Sequence, residues 1–277
     1  MKLAVSNIAW PAVQRREAYA LLAANGITGL EIAPGLLFSE AEDAFEPTPA
    51  EAEAAMAEVR DAGLELVSMQ SLLFGVEGAA LFGDAAARER LEQAMRRAIA
   101  LAERFAIPNL VFGSPRQRVV PDGMSDGDAQ ALAADVFRRL GDAAFAAGCR
   151  IAVEPNPAAY GTNFLNRAAE ALGFVEAVAH PAVSLNFDVG ALHMNGDFEQ
   201  VEDLAARAGG SISHVHFSEP QLAPAPARIE EAERVFAAVS RTGYDGWYSI
   251  EMIAQPEAPL AALEQGIGRL LAAAHGD

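Results

Sequence analysis

RDAGLELVSM, residues 60–69, joins the end of a helix-like stretch to a β-rich apolar segment through Gly63. A glycine one position past a helix adopts the left-handed conformation that closes the helix. The same arrangement recurs in AANGITGLEIA (23–33), AAGCRIAVEP (146–155) and RTGYDGWYSIE (241–251). The chain is therefore predicted to repeat a unit in which a helix stops and a strand follows at once.

The stretches between these glycines carry helical periodicity and start signals. Apolar residues recur with a period of 3.6 over residues 91–105, which is typical of a helix with one buried face. Thr48, Pro49 and Glu51 supply an N-cap, a first-turn proline and a capping-box acid for another helix.

Strand candidates begin near positions 2, 28, 64, 108, 150, 183, 212 and 247, each with room for a helix after it. Strands that alternate with helices form parallel sheets, and eight such units are the content of a TIM barrel. We therefore predict a single (β/α)8 TIM-barrel domain over residues 1–277. An open doubly wound sheet is the alternative, but SNIAWPA (6–12) after the first strand lacks its glycine fingerprint.

Composition argues against several classes of function. The formal net charge of −18 disfavours a nucleic-acid partner, because binding a phosphate backbone needs clustered Lys and Arg. No apolar run is long enough for a membrane span, and the start MKLAVSNIAWPA predicts no signal peptide. Cys149 is the single cysteine, which favours a reducing, cytoplasmic setting. The only lysine is Lys2, which excludes a Walker P-loop.

Four consecutive predicted strands end in a side chain that can bind a metal ion. They are strands five to eight, and the side chains are Glu154, Asp188, His216 and Glu251. Because active sites of barrels lie where the strands end, we expect the four to meet. Three carboxylates and one imidazole favour a single divalent ion, Mn²⁺ first and Mg²⁺, Co²⁺ or Zn²⁺ as alternatives. His214 lies two residues before His216 on the same inward face, and we expect it to support that ligand from below.

The segments AVEP, FDVG, HVHFSE and SIEM around these four residues resemble the xylose-isomerase-like TIM-barrel superfamily of sugar phosphate isomerases and epimerases. The resemblance covers the whole chain. It implies a sugar or keto-sugar substrate and proton abstraction beside a carbonyl through an enediolate. It also implies that Glu154 and Glu251 act as acid and base as well as metal ligands.

Three positions depart from the ketose 3-epimerase pattern. Ala191 replaces a histidine, Leu222 replaces an arginine, and Tyr160 replaces a glutamate. A metal-dependent lyase or dehydratase on a keto-sugar or 3-oxo-glycoside, including the C-glycoside deglycosidase type, is therefore the main alternative. Less favoured are a non-catalytic barrel subunit of a complex and the three-zinc endonuclease type, for which five histidines are too few. Assembly into a homo-oligomer is compatible with the sequence.

Further polar and aromatic residues follow the predicted strands. We expect contacts to the substrate from Gln70, Asn156, His193, Glu219 and Trp10, with His193 taking the place of the histidine missing at Ala191. Glu31 is placed to hydrogen-bond a polyol or to hold its own loop. Phe74 is expected in the core, and Arg116 and Arg118 on a solvated loop.

Overall fold

The computed structural model describes residues 1–276 and shows a closed barrel of eight parallel strands that pair in chain order, β1 with β2 through to β8 with β1. This confirms the predicted (β/α)8 architecture. The strands are β1 (Lys2–Ser6), β2 (Gly29–Ile32), β3 (Glu65–Met69), β4 (Asn109–Phe112), β5 (Arg150–Val153), β6 (Val183–Asp188), β7 (Ile212–Ser218) and β8 (Trp247–Glu251).

A long helix follows each strand, and two short helices are inserted in strand–helix loops. The long helices are α1 (Arg15–Ala24), α3 (Pro49–Asp61), α4 (Ala85–Phe105), α5 (Asp126–Ala146), α6 (Ala168–Val178), α8 (Val201–Ala208), α9 (Ile229–Ser240) and α10 (Pro259–His275). The short ones are α2 (Pro34–Leu37) after β2 and α7 (Val189–Asn195) after β6. Across the described residues, no helix combines the length and apolar character needed to span a bilayer.

The local signals in the sequence act as predicted. Thr48 and Glu51 form a capping box at the start of α3, with Pro49 in the first turn. After α3 and α5, Gly63 and Gly148 have φ of +71° and +72°, a conformation that side chains with a Cβ adopt at a cost. Each glycine turns the chain so that the next strand starts within two residues of it.

The apolar core lies mainly between the outer face of the barrel and the helices. Inside the barrel, polar side chains form a buried chain of hydrogen bonds. Asn109 joins Ser213 to Ser68, with bonds of 2.9 and 3.0 Å, and Ser68 donates to Glu31 over 3.1 Å. Buried polar groups are costly unless they are paired, so this chain fixes where Glu31 lies.

Candidate metal and active site

Four side chains from neighbouring strands meet at the carboxyl end of the barrel. Glu154 follows β5, Asp188 ends β6, His216 lies near the end of β7 and Glu251 ends β8. One potential ligand atom of each lies within 4.8 Å of those of the other three. We call these four residues the four-residue cluster.

His216 is completely buried, and its two ring nitrogens face different partners. Nδ1 lies 3.1 Å from Glu154 Oε1, 3.2 Å from Glu251 Oε2 and 3.8 Å from Asp188 Oδ2. Nε2 lies 3.0 Å from both carboxylate oxygens of Glu31. The ring is thus fixed between Glu31 below and three carboxylates above.

Glu31 is completely buried beneath the cluster, so it cannot reach a polyol in the pocket. It contacts both histidines of β7, because His214 Nε2 lies 3.3 Å from Glu31 Oε2. His214 therefore supports His216 through Glu31 rather than by a direct hydrogen bond. Glu31, His214 and His216 also lie close enough together to hold an ion, but their hydrogen bonds to one another already use the facing atoms.

Amide and hydroxyl groups hold the carboxylates of the cluster. Asn186 donates to Glu154 Oε1 over 2.8 Å, and Asn156 donates to Glu154 Oε2 over 2.9 Å. Asp188 accepts from the Ala191 backbone N–H over 2.5 Å and from Ser218 Oγ over 2.7 Å. Both Asp188 oxygens are thus engaged.

Two contributors to the site were missed from the sequence. Strand β7 was predicted to end at His216 but continues to Ser218, and the same alternation that aligned the histidines could have identified this serine. Gly113, after β4, leaves the space that the Glu154 carboxylate occupies, since a Cβ there would lie 2.6 Å from Glu154 Oε2.

Burial and mutual repulsion oppose the simultaneous ionisation of the three carboxylates of the cluster. Burial and the neighbouring carboxylates of Glu154 and Glu251 raise the pKa of Asp188 to about 8. Burial also raises the pKa of Glu251. Burial opposes a charged His216, but the Glu31 and Glu251 carboxylates outweigh it and hold the pKa of His216 well above its ordinary value. Three carboxylates and one imidazole whose potential ligand atoms lie this close together are a donor set that fits a divalent cation.

A pocket of about 260 Å³ opens over the cluster, and it is the natural place for a small molecule. Three of the five residues predicted to contact substrate line it, namely Gln70, Asn156 and Glu219. Tyr160 and Leu222 also line it, so two of the three positions that depart from the ketose 3-epimerase pattern face the pocket, and buried Ala191 does not. Tyr160 Oη accepts a hydrogen bond from the Gln221 backbone N–H over 3.1 Å.

His193 and Trp10 lie away from the pocket lining. His193 stacks on Phe198 with ring centroids 4.3 Å apart, and its Nε2 lies 3.4 Å from Glu231 of α9. Trp10 is 2% exposed and packs edge-on against Tyr19 in the core. The prediction that these two residues touch substrate is therefore corrected, because loop and helix packing turn both side chains elsewhere.

Two further expectations are reversed. Phe74 was expected in the core, but it is 83% exposed on the loop after β3. Arg118 was expected on a solvated loop, but it is completely buried and donates to the Glu154 backbone carbonyl over 2.7 Å. Burial lowers the pKa of Arg118 to about 10.

The fold is similar to that of several solved sugar epimerases. A D-psicose 3-epimerase from Clostridium cellulolyticum H10, solved with D-tagatose, is 17% identical with a TM-score of 0.77, over 100% of this chain and 98% of that one. A D-allulose 3-epimerase from Methylomonas sp., solved with D-allulose, is 19% identical with a TM-score of 0.76, over 100% and 96%. A 3-keto-D-glucoside 4-epimerase from E. coli is 17% identical with a TM-score of 0.75, over 98% and 99%.

At these identities the likeness concerns the fold. Among curated proteins, no similar sequence was found. The sequence model of one family, described as xylose isomerase-like TIM barrel, matches residues 19–273, which is most of the chain. The eight-stranded barrel and this match lead to one conclusion: the chain belongs to the xylose isomerase-like TIM barrel family.

Proposed function

We propose that this protein is a divalent-metal-dependent sugar epimerase or isomerase that removes a proton from the carbon beside a carbonyl, through an enediolate. The observation that carries the proposal is the convergence of Glu154, Asp188, His216 and Glu251 beneath a small pocket. The similar solved structures that are sugar epimerases support the same class of reaction.

The four-residue cluster would hold the ion, Mn²⁺ first and Mg²⁺, Co²⁺ or Zn²⁺ as alternatives, because three oxygen donors and one imidazole suit this group of ions. When bound, the ion would polarise the substrate carbonyl and stabilise the charge that develops on its oxygen. Gln70, Asn156 and Glu219 line the pocket and are proposed to orient the substrate hydroxyls.

Glu154 and Glu251 are the proposed proton-transfer groups. Both line the pocket, so each can approach a bound substrate carbon. One glutamate would remove the proton, and the other would return it on the opposite face of the carbon.

A lyase acting on a keto-glycoside is the second candidate, since elimination beside a carbonyl passes through the same kind of enolate. Leu222 and Tyr160 favour it, because they line the pocket where the ketose 3-epimerase pattern has an arginine and a glutamate. A pocket without those charged groups is less fitted to hold an open-chain ketose.

The test is solvent exchange. Metal-loaded protein is incubated in D₂O with a panel of ketoses and 3-keto-glucosides, and deuterium at the carbon beside the carbonyl is followed by NMR. We expect incorporation by the wild type and a rate about 10²–10⁴-fold lower in Glu154→Gln or Glu251→Gln, which keep an oxygen but lose the base. Release of the substituent from the keto-glycoside would indicate the lyase.

Glu65→Gln is the matched control, because Glu65 is exposed at the start of β3, at the opposite end of the strands from the pocket. Its exchange rate should equal that of the wild type. Wild-type exchange in both active-site variants, at equal metal occupancy, would remove the two glutamates from the chemistry. Absence of exchange with every sugar of the panel would count against the proposed function itself.

A further inference from the structure

A second cavity, of about 470 Å³, lies beside the pocket at the same end of the barrel. It is bounded by the segments that follow β1, β2 and β3, and we call it the groove. Ser71 lines both the pocket and the groove, so the two spaces adjoin. The side chains that line the groove are mostly apolar: Ile8, Ala33, Leu36, Phe45, Phe74 and Val76.

Phe74 carries the most exposed large apolar side chain of the groove. It is 83% exposed, and it stands beside half-buried Phe45 and Val76 rather than alone. Isolated exposed apolar residues are ordinary, but a contiguous apolar patch next to a polar pocket is typical of a ligand groove.

The charges around the groove favour a neutral occupant. Arg97 lines it but is paired with Asp43 and Glu46, and its guanidinium lies 5.8 Å from the centre of the Phe45 ring. Glu42 lies on the same wall and is exposed. A phosphate or carboxylate placed here would meet an already neutralised arginine and an additional negative charge.

The loop after β3 connects the two spaces over a short distance. Gln70 faces the pocket and Phe74 faces the groove, and Ser71 between them turns the chain with a φ of +59°. Such a φ is uncommon for a serine, and conformations of this kind concentrate at ligand sites. Four residues span at most about 14 Å, so one molecule slightly larger than a single sugar ring can touch both walls.

We propose that the substrate carries an aromatic aglycone, and that this ring lies in the groove against Phe74 while the sugar occupies the pocket. The inference rests on the proposed function, which it deepens by naming the substrate class as aryl keto-glycosides. The groove supplies apolar contact for the ring, and Ser71 marks the boundary between sugar and aglycone.

The test compares two 3-keto-β-D-glucosides that differ only in a methyl or a phenyl aglycone. Their dissociation constants for the metal-loaded protein are measured by calorimetry, and deuterium exchange is followed in parallel. Since about 25 cal/mol is gained per Å² of apolar surface buried, we expect the phenyl compound to bind about 10–100-fold more tightly.

Two variants test whether the preference for the phenyl over the methyl compound arises in the groove. Phe74→Ala should lower it about tenfold without changing the affinity for the methyl compound. Gly35→Trp should remove it, because Gly35 lines the groove and a Cβ there meets nothing within 4 Å, so a large side chain can be introduced into this space. Phe145→Ala is the matched control, since Phe145 is 64% exposed beside the opposite end of the barrel, and it should leave the preference intact.

Equal affinity for the methyl and phenyl compounds would overturn the inference, and would leave the proposed function standing if both compounds exchange deuterium. A phenyl preference that survives both Phe74→Ala and Gly35→Trp would also overturn it. If Phe74→Ala instead changes the sedimentation coefficient and not the preference, the groove is a contact between copies of the chain and the inference is wrong. Tight binding of the phenyl compound without deuterium exchange would count against the proposed function but not against an aromatic site in the groove.

Discussion

At the scale of single residues, the two ring nitrogens of His216 face different carboxylates. Its Nδ1 faces the carboxylates of the cluster, and its Nε2 lies 3.0 Å from each oxygen of Glu31. A carboxylate on the far nitrogen fixes the ring orientation and raises its basicity as a metal ligand. A buried glutamate in β2 thereby orients the imidazole in β7 that is proposed to bind the metal ion.

Replacing Glu31 with glutamine tests this support. Glu31→Gln keeps the shape of the side chain but removes the negative charge that faces Nε2 of the His216 ring. We expect the affinity for Mn²⁺ to fall about 10–100-fold, the usual effect of losing a group that orients a ligand. Isothermal titration of the metal-stripped protein measures it, with exposed Glu65→Gln as the control.

Wild-type affinity in Glu31→Gln would show that the ring needs no carboxylate below it. A loss as complete as that of His216→Ala would instead make Glu31 a direct ligand.

Residue type and spacing were enough to predict the cluster, but not the direction of every side chain. Glu154, Asp188, His216 and Glu251 follow from strand alternation and strand ends, which are local properties. Trp10 lies on the loop after β1 and His193 on the short helix α7, where packing against Tyr19 and Phe198 decides their orientation. Those partners are close in space and cannot be identified from periodicity.

At the scale of the elements, the strands begin within one residue of the predicted positions. Glycine after a helix and a β-rich run are strong local signals, so the barrel could be predicted from sequence. The loops could not. The segment after β2 forms the extra helix α2, and Arg118 folds inward to the Glu154 carbonyl although its neighbourhood is polar.

Close approach between β4 and β5 gives a prediction at this scale. Gly113→Ala would place a Cβ 2.6 Å from Glu154 Oε2, and the far end of that flexible side chain would move. We therefore expect a free energy of unfolding within about 1 kcal/mol of the wild type, but Mn²⁺ affinity lowered about tenfold or more, because metal sites tolerate little displacement. Thermal unfolding and titration calorimetry measure the two effects.

Gly173→Ala is the matched control for Gly113→Ala. Gly173 lies inside α6, where a Cβ meets nothing within 4 Å. Alanine there should raise stability by about 0.5–1 kcal/mol and leave metal affinity unchanged. If Gly113→Ala also binds metal normally, the space beside Glu154 is not needed to position it.

At the scale of the whole molecule, the cavities lie at opposite ends of the barrel. The pocket and the groove lie at the carboxyl end of the strands, whereas Cys149 lines a different cavity near their start. Burial raises the pKa of the Cys149 thiol to about 11 from 9.0, so at pH 8 its thiolate is about 100-fold scarcer than in an exposed cysteine.

Cys149 should therefore resist iodoacetamide at pH 8 in the folded protein and react once per chain in denaturant, as mass spectrometry would show. Its labelling rate then reports opening of the barrel. Rapid labelling of the native protein would mean that the start of β5 is open to solvent.

Metal binding by the four-residue cluster is the central claim, and its most direct test is a titration of the chelator-stripped protein with Mn²⁺. The wild type should bind one ion per chain. Asp188→Asn, which keeps the size of the side chain but removes its charge, should bind about a hundredfold more weakly or not at all. Asp142→Asn, at a carboxylate that is 81% exposed, should bind like the wild type. Absence of binding by the wild type, or equal binding by Asp188→Asn, would contradict the account.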